Sequence, residues 1–449
     1  MFITNLISSY RVMQNIKKHF WSLAIAALIF SGAVISIAFR SKTIDKQVPA
    51  QKCIIISDIH FNPMYGSGDT AIKGKLARST FDEWKKYFES SAAQMTVNAS
   101  LLYMDANYGV LQSAIANMRK RLPHPAFIVI AGDFIWHGAK PADSVLKRKS
   151  IQFIARLFKE SFPGTIIIPA LGNNDTYGAD YALQDSRFLN DFADAWEPAL
   201  PKSSGDSLKA QGYYTCTKGD LKLIVINSAL LNNGTRHPQA LLMLRWLHAV
   251  LSNPNSKNVW IVMHIPPGFN VYSGASFWNS GATKTFIEEV VSNSSKVKFS
   301  IASHTHFNDF RVFYNAETKP APVSFMRIVP SICSNHGNNP SFEVAEFNGS
   351  GGAIIHETNY YLNLAALPRG KAPGPLEWSD MLSSSSTLKL DKVDAQGFSK
   401  FMDNVKADQS WQSLASYTKF YTVGTKIDSS IRVSRGNYMK YLKADSLKQ

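Results

Sequence analysis

Short runs of consecutive apolar residues recur along the chain and alternate with longer segments of helical spacing. The runs are Cys53-Ile54-Ile55-Ile56-Ser57, Phe127-Ile128-Val129-Ile130-Ala131, Ile166-Ile167-Ile168-Pro169-Ala170, Leu223-Ile224-Val225-Ile226, Val259-Trp260-Ile261-Val262-Met263 and a further one over 297–302. A strand with one wet face alternates apolar and polar positions; runs with no such alternation predict strands covered on both faces. Residues 108–121 and 145–160 predict helices between them. Strands alternating with helices define a layered α/β fold.

The polar residues that end these runs carry the information about chemistry. Ser57-Asp58-Ile59-His60 closes the first run, Gly132-Asp133 the second, Gly172-Asn173-Asn174-Asp175 the third and His264 the fifth, and Ser303-His304-Thr305-His306 follows 297–302. Strand exits are where an α/β sheet gathers a ligand site. Glycine beside Asp133 and Asn173 permits the sharp turns that aim those side chains into a common cleft. Each element taken singly is equally compatible with a structural role. Together, in this order, they predict a cluster of Asp58, His60, Asp133, Asn173, His264, His304 and His306.

Carboxylate, imidazole and carboxamide donors without thiolates suit divalent ions such as Zn²⁺, Mn²⁺ or Fe²⁺. So many donors imply two ions, the arrangement with which hydrolases clamp the attacking and leaving oxygens of an in-line displacement at phosphorus. Asp133 is the natural bridging carboxylate. The cofactors expected are two divalent metal ions, Zn²⁺ foremost.

This order of motifs resembles the calcineurin-like metallophosphoesterases, whose pattern is D-x-H, G-D, G-N-H-D/E, H and G-H-x-H. The resemblance implies a four-layered αββα sandwich with the site above the strand ends, and hydroxide attack at phosphorus. It also implies Asp58, His60, Asp133 and His306 around one ion and Asp133, Asn173, His264 and His304 around the other. A narrower resemblance, through most of residues 51–425, is to acid sphingomyelinase and the acid-sphingomyelinase-like phosphodiesterases. It rests on Met104-Asp105-Ala106, on His137 four residues after Asp133, on Pro330-Ser331, and on Asn339-Pro340-Ser341-Phe342, with Trp378 and Tyr421 in the C-terminal region.

Three departures bear on substrate. Only about 50 residues precede the first strand, too few for the saposin-like lipid-presenting domain of that family. Its dense cysteine pattern is absent as well, since the chain has 3 cysteines, Cys53, Cys216 and Cys333. Finally, Asn174 stands where the superfamily has a histidine. A carboxamide donates hydrogen bonds but delivers no proton, and general acid catalysis is worth roughly 10²- to 10⁴-fold. His137 is then the candidate acid, with a surface turn at Trp136-His137-Gly138 as its bland alternative. The expected substrates are small phosphodiesters or nucleotides whose leaving groups need little protonation; a phosphomonoesterase, a sphingomyelin phosphodiesterase and a metal-retaining scaffold are the rivals. Phe269, Tyr272, Phe277 and Trp278 are candidates to stack on a base or cover a choline, or to pack internally.

Residues 20–39 form an uncharged apolar stretch, long enough at 1.5 Å per residue to span about 30 Å of hydrocarbon. Ser36-Ile37-Ala38 offers a small-x-small cleavage pattern, so the stretch reads as a transmembrane anchor or a cleaved signal. The organisation expected is a basic flank over 1–19, the anchor or signal over 20–39, a linker over 40–50, a catalytic domain over 51–366 and a helical C-terminal region over 367–449. The catalytic domain would face the extracytoplasmic side, or be secreted after cleavage. The net charge of +15 is spread along the chain with acidic residues intermixed, which argues against a dedicated nucleic-acid partner.

Overall fold

The computed structural model describes residues 49–67, 71–232, 238–269, 274–315, 319–368, 376–408, 410, 412–425 and 446–447. The expected membrane segment 20–39 lies outside them, as does Tyr272. Among the described residues no helix is long and apolar enough to cross a membrane.

Every apolar run becomes a strand. β1 (Gln51–Ile56), β2 (Ile128–Ile130) and β3 (Ile167–Pro169) belong to one sheet. β4 (Tyr214–Lys218), β5 (Leu221–Val225), β6 (Asn258–Val262), β7 (Val297–Ala302), β8 (Asp309–Tyr314) and β9 (Pro322–Ile328) form a second. The chain then returns to the first sheet with β10 (Ser341–Phe347), β11 (Ile354–Tyr361) and β12 (Asp380–Leu382), and β13 (Ser446–Leu447) pairs with β8. The orders are β12-β11-β10-β1-β2-β3 and β13-β8-β9-β7-β6-β5-β4. β1, with Ile55 opposite Val129, runs parallel to β2, while its other edge is taken by antiparallel β10, with Cys53 opposite Ala345.

The second sheet shows why its strands read as unbroken apolar runs. Leu223, Val225, Trp260, Val262, Phe299 and Ile301 point into the core shared with the first sheet. There Trp260 meets Phe127 at 5.6 Å and Phe347 at 5.1 Å between ring centroids. Their neighbours Ile224, Ile261 and Met263 face the other way, against Leu244, Leu247 and Phe286 of helices Pro238–Ser252 and Ser280–Ser292. Each face is dry, against a different partner. On the first sheet, helix Tyr108–Arg121 starts where the Asn107 side chain accepts the Val110 N–H at 3.0 Å.

Beyond residue 367 the chain is tied into both sheets. β12 extends the first sheet, and the Trp378 N–H bonds Asn117 Oδ1 at 3.2 Å. Helix Ala395–Ala407 lays Phe398 against Phe310 at 4.4 Å and Phe325 at 5.4 Å, on β8 and β9. Helix Gln412–Tyr421 follows, with Tyr421 stacked on Phe307 at 4.6 Å. Cys53, Cys216 and Cys333 are all buried free thiols, so no disulfide joins Cys216 to Cys333.

Candidate metal centre

The loops leaving β1, β2 and β3 from one sheet and β6 and β7 from the other meet at a single point. Asp58, His60, Asp133, His304 and His306 all take positive φ, at 47°, 40°, 57°, 72° and 64°. A left-handed backbone costs a non-glycine residue roughly 1–2 kcal/mol. Such a concentration of strain marks a place where side-chain direction outranks local stability. The adjoining glycines make it sterically feasible: a Cβ on Gly132 (φ 96°) would lie 2.8 Å from His264 Nδ1, and one on Gly172 would overlap Asp133 Oδ1. Asp175, buried below the site, accepts hydrogen bonds from the N–H groups of Asp133 (2.8 Å), Phe134 (2.9 Å) and Gly172 (2.9 Å), clamping both turns.

The imidazoles are aimed through their second nitrogens. His60 Nδ1 lies 2.7 Å from the Ile135 carbonyl and His264 Nδ1 lies 2.8 Å from the Ala131 carbonyl, so Nδ1–H donates and Nε2 faces inward. Asp133 Oδ2 is 3.4 Å from His60 Nε2 and 3.1 Å from His264 Nε2. Asp58 Oδ1 is 3.8 Å from His60 Nε2, 3.9 Å from His264 Nε2 and 3.4 Å from His306 Nε2. The Asn173 carboxamide completes the set, with Oδ1 3.1 Å from His264 Nε2 and Nδ2 donating to Asp180 Oδ1 at 2.7 Å. All the residues expected at the centre are therefore brought together.

Two observations test whether this constellation fits divalent ions. Asp58 Oδ1 and His60 Nε2 are buried and have no hydrogen-bond partner, and a buried carboxylate oxygen facing an imidazole nitrogen in that state is costly unless a cation joins them. Donor atoms of Asp58, His60 and Asp133, and separately of Asp133, His264 and His304, also lie within 4.8 Å of one another, as ligands of one ion must. The residues fit.

Electrostatics agree. Burial opposes charge on His60, but the neighbouring carboxylates of Asp58 and Asp133 outweigh it, leaving the group raised to about 9. Burial likewise opposes charge on His264, and Asp133 and Asp58 raise it to about 9. Protons here occupy the place of cations. Asp133 is held well below the usual carboxylate range, burial being outweighed by His264 and His60. Burial and then the neighbouring Asp133 push Asp175 up to about 6. His304 is pushed down to about 3 by burial and His264.

The cleft over the centre has a volume of about 360 Å³, and its lining includes His137, Asn174, Tyr181, Phe277, His304 and His336. His137 is no bare surface turn. Its Nδ1 lies 2.6 Å from Asp105 Oδ1, its backbone N–H bonds Asp105 Oδ2 at 2.9 Å, and its ring stacks on His60 at 3.8 Å. Asn174 points elsewhere: its N–H donates to Asp133 Oδ1 at 2.9 Å and its Nδ2 to Asp133 Oδ2 at 3.0 Å. Among the aromatics raised by the sequence, Phe277 stands 5.4 Å from His304, whereas Trp278 is buried with Nε1 bonded to the Ile265 carbonyl at 3.2 Å. Asp180, Tyr181, Asn335 and His336 line the cleft without a sequence signal, because they sit on loops rather than at strand exits.

The calcineurin-like phosphoesterase family matches residues 52–308, which include every residue of the cluster from Asp58 to His306, and the chain belongs to that family. It is a metal-dependent phosphoric ester hydrolase with a centre for two divalent ions. Sphingomyelinase phosphodiesterase C of Dictyostelium discoideum is 26% identical over 351 residues, covering 74% of this chain and 77% of its own. Human acid sphingomyelinase-like phosphodiesterase 3b is 24% identical over 79% of this chain and 80% of its own. The bovine cyclic GMP-AMP phosphodiesterase SMPDL3A is 22% identical over 84% of each. Among solved structures, the purple acid phosphatase PPD1 of yellow lupin (Lupinus luteus) superposes on 75% of this chain and 54% of its own, at 10% identity and a TM-score of 0.43.

Proposed function

We propose that this chain hydrolyses small phosphodiesters or nucleotides, with Asp58, His60, Asp133 and His306 holding one divalent ion and Asp133, Asn173, His264 and His304 the other. Zn²⁺ is the expected ion, on the nitrogen-rich donor set. The observation that carries the reading is the pair of buried, unpartnered donor atoms, Asp58 Oδ1 and His60 Nε2, at the focus of the cluster. When bound, such ions supply Lewis acidity toward the phosphoryl oxygens and lower the pKa of the attacking water.

The chain's own residues supply the rest. Asp105 accepts the Nδ1–H of His137, so the imidazolium form, protonated on both nitrogens, would present Nε2–H to the leaving oxygen and be left as the Nδ1–H tautomer after giving that proton up. Asn174 directs its backbone N–H and an Nδ2–H at Asp133, so it orients that carboxylate, and a carboxamide protonates nothing. With one proton source, low-pKa leaving groups are favoured. A cleft of about 360 Å³ accommodates a phosphodiester with a modest substituent, and nucleotide chemistry is what the bovine relative's name describes. Residues 20–39 are the anchor or signal that delivers the domain across a membrane.

A substrate panel on the metal-loaded full chain tests the reading. CDP-choline, ATP and p-nitrophenyl phosphocholine are expected to turn over about tenfold or more faster than sphingomyelin, as one missing acid group predicts. Preference for sphingomyelin, or for monoesters alone, refutes it. Asn174→His is expected to raise turnover of alkyl diesters more than of p-nitrophenyl diesters, and equal gains refute the leaving-group argument.

A further inference from the structure

The loop following Asn173 carries a residue the metal centre does not need. Tyr181 has φ of 60°, a strained value for a tyrosine, and its side chain is exposed to the cleft instead of filling the core. The strain is sustained from several sides. The Tyr181 N–H bonds the Asn173 carbonyl at 3.1 Å, and the Gln184 carboxamide donates to the Gly172 and Asp175 carbonyls at 3.3 and 3.0 Å. Below, the buried Lys147 ammonium donates to the Thr176 carbonyl at 3.0 Å and the Gly178 carbonyl at 2.6 Å. This scaffolding delivers the Tyr181 hydroxyl to 3.1 Å from His304 Nε2.

Either nitrogen of His304 can be the one that meets an ion: if it is Nε2, its lone pair cannot also accept the phenol proton, and if it is Nδ1, Nε2 carries the hydrogen and donates to the phenol oxygen. In both cases the Tyr181 O–H is not spent on His304 and is left facing the cleft where a phosphoryl oxygen must sit. His137 stands by His60, at the other end of the cluster. We propose that Tyr181 is a catalytic residue: its phenol donates a hydrogen bond to a non-bridging phosphoryl oxygen as charge grows there in the transition state. No proton is transferred. The inference rests on the hydrolase reading above and adds a hydroxyl donor on the His304 side of the cleft.

The test is Tyr181→Phe in the metal-loaded full chain, with metal content and orthovanadate affinity measured beside turnover of bis-p-nitrophenyl phosphate and glycerophosphocholine. Losing one such donor is expected to lower kcat by roughly 10- to 100-fold, with KM within about twofold. The factor is expected to be the same for both substrates, because a non-bridging contact ignores the leaving group. Vanadate affinity falls in parallel and metal content stays unchanged. A kcat within about twofold of the parent, or a loss confined to glycerophosphocholine, overturns the proposal. So does loss of metal, which makes Tyr181 a positioning residue for His304. If the parent hydrolyses only monoesters, the diester reading fails while the same comparison on p-nitrophenyl phosphate still judges Tyr181. If the parent hydrolyses nothing, vanadate affinity decides, and an unchanged value overturns the proposal.

Discussion

At the scale of single residues, the centre is built from conformations that its own side chains disfavour. That Asp58, His60, Asp133, His304 and His306 gather in one cluster was legible from their order after apolar runs, but not their left-handed backbone, since only Gly132 beside Asp133 hinted at it. Asp105 was visible only as part of a resemblance; its grip on His137 depends on a contact 32 positions apart, which no local pattern encodes. The protons on His60 and His264 lead to a pH prediction. Both groups are raised to about 9 from an ordinary 6.5, so in the metal-free protein their contribution to stability is fully present below pH 6.5 and is lost as pH rises through about 9. Loading these nitrogens with metal must expel the protons. Calorimetry of Zn²⁺ binding at pH 7 in buffers of different ionisation enthalpy is expected to show proton release, with affinity rising toward pH 9; binding without proton release would show that His60 and His264 are already neutral in the metal-free protein.

At the scale of elements, the strands of both sheets that bear the centre were readable because each is dry on two faces. The edges were harder. β10 slots antiparallel against β1 although its burial alternates along the strand, at Val344 and Glu346, and nothing local says that it belongs beside a strand nearly three hundred residues earlier. Helix Ala395–Ala407 was legible as an amphipathic segment, while its docking on β8 and β9 depends on rings supplied by Phe310 and Phe325. Truncating Phe398, which is fully buried in that contact, is expected to cost about 3–5 kcal/mol. Urea denaturation of Phe398→Ala followed by fluorescence checks this. Because the helix lies away from the cleft, the folded fraction should keep its metal content.

At the scale of the molecule, the two sheets each contribute part of the centre: Asp58, His60, Asp133 and Asn173 leave β1, β2 and β3, and His264, His304 and His306 leave β6 and β7. Ions held by both sheets bind the folded state and not the unfolded chain. Chelation is therefore expected to lower the melting temperature, and restoring Zn²⁺ to about 100 to 1,000 times its Kd should return about 3–4 kcal/mol. Differential scanning calorimetry with and without chelator measures it, and an unchanged melting temperature would argue against a centre shared by both sheets.

The pairing of β1 with β10 also sets a timetable. As the chain emerges from the ribosome, β1 has β2 available early but keeps one edge bare until Ser341–Phe347 has been made. Synthesis at about 5–20 residues per second puts that interval at tens of seconds. Throughout it, the Gln51–Ile56 edge and its row of isoleucines are open to adventitious pairing, so the nascent protein should depend on chaperones that shield strand edges, and chains truncated before β10 should aggregate rather than fold.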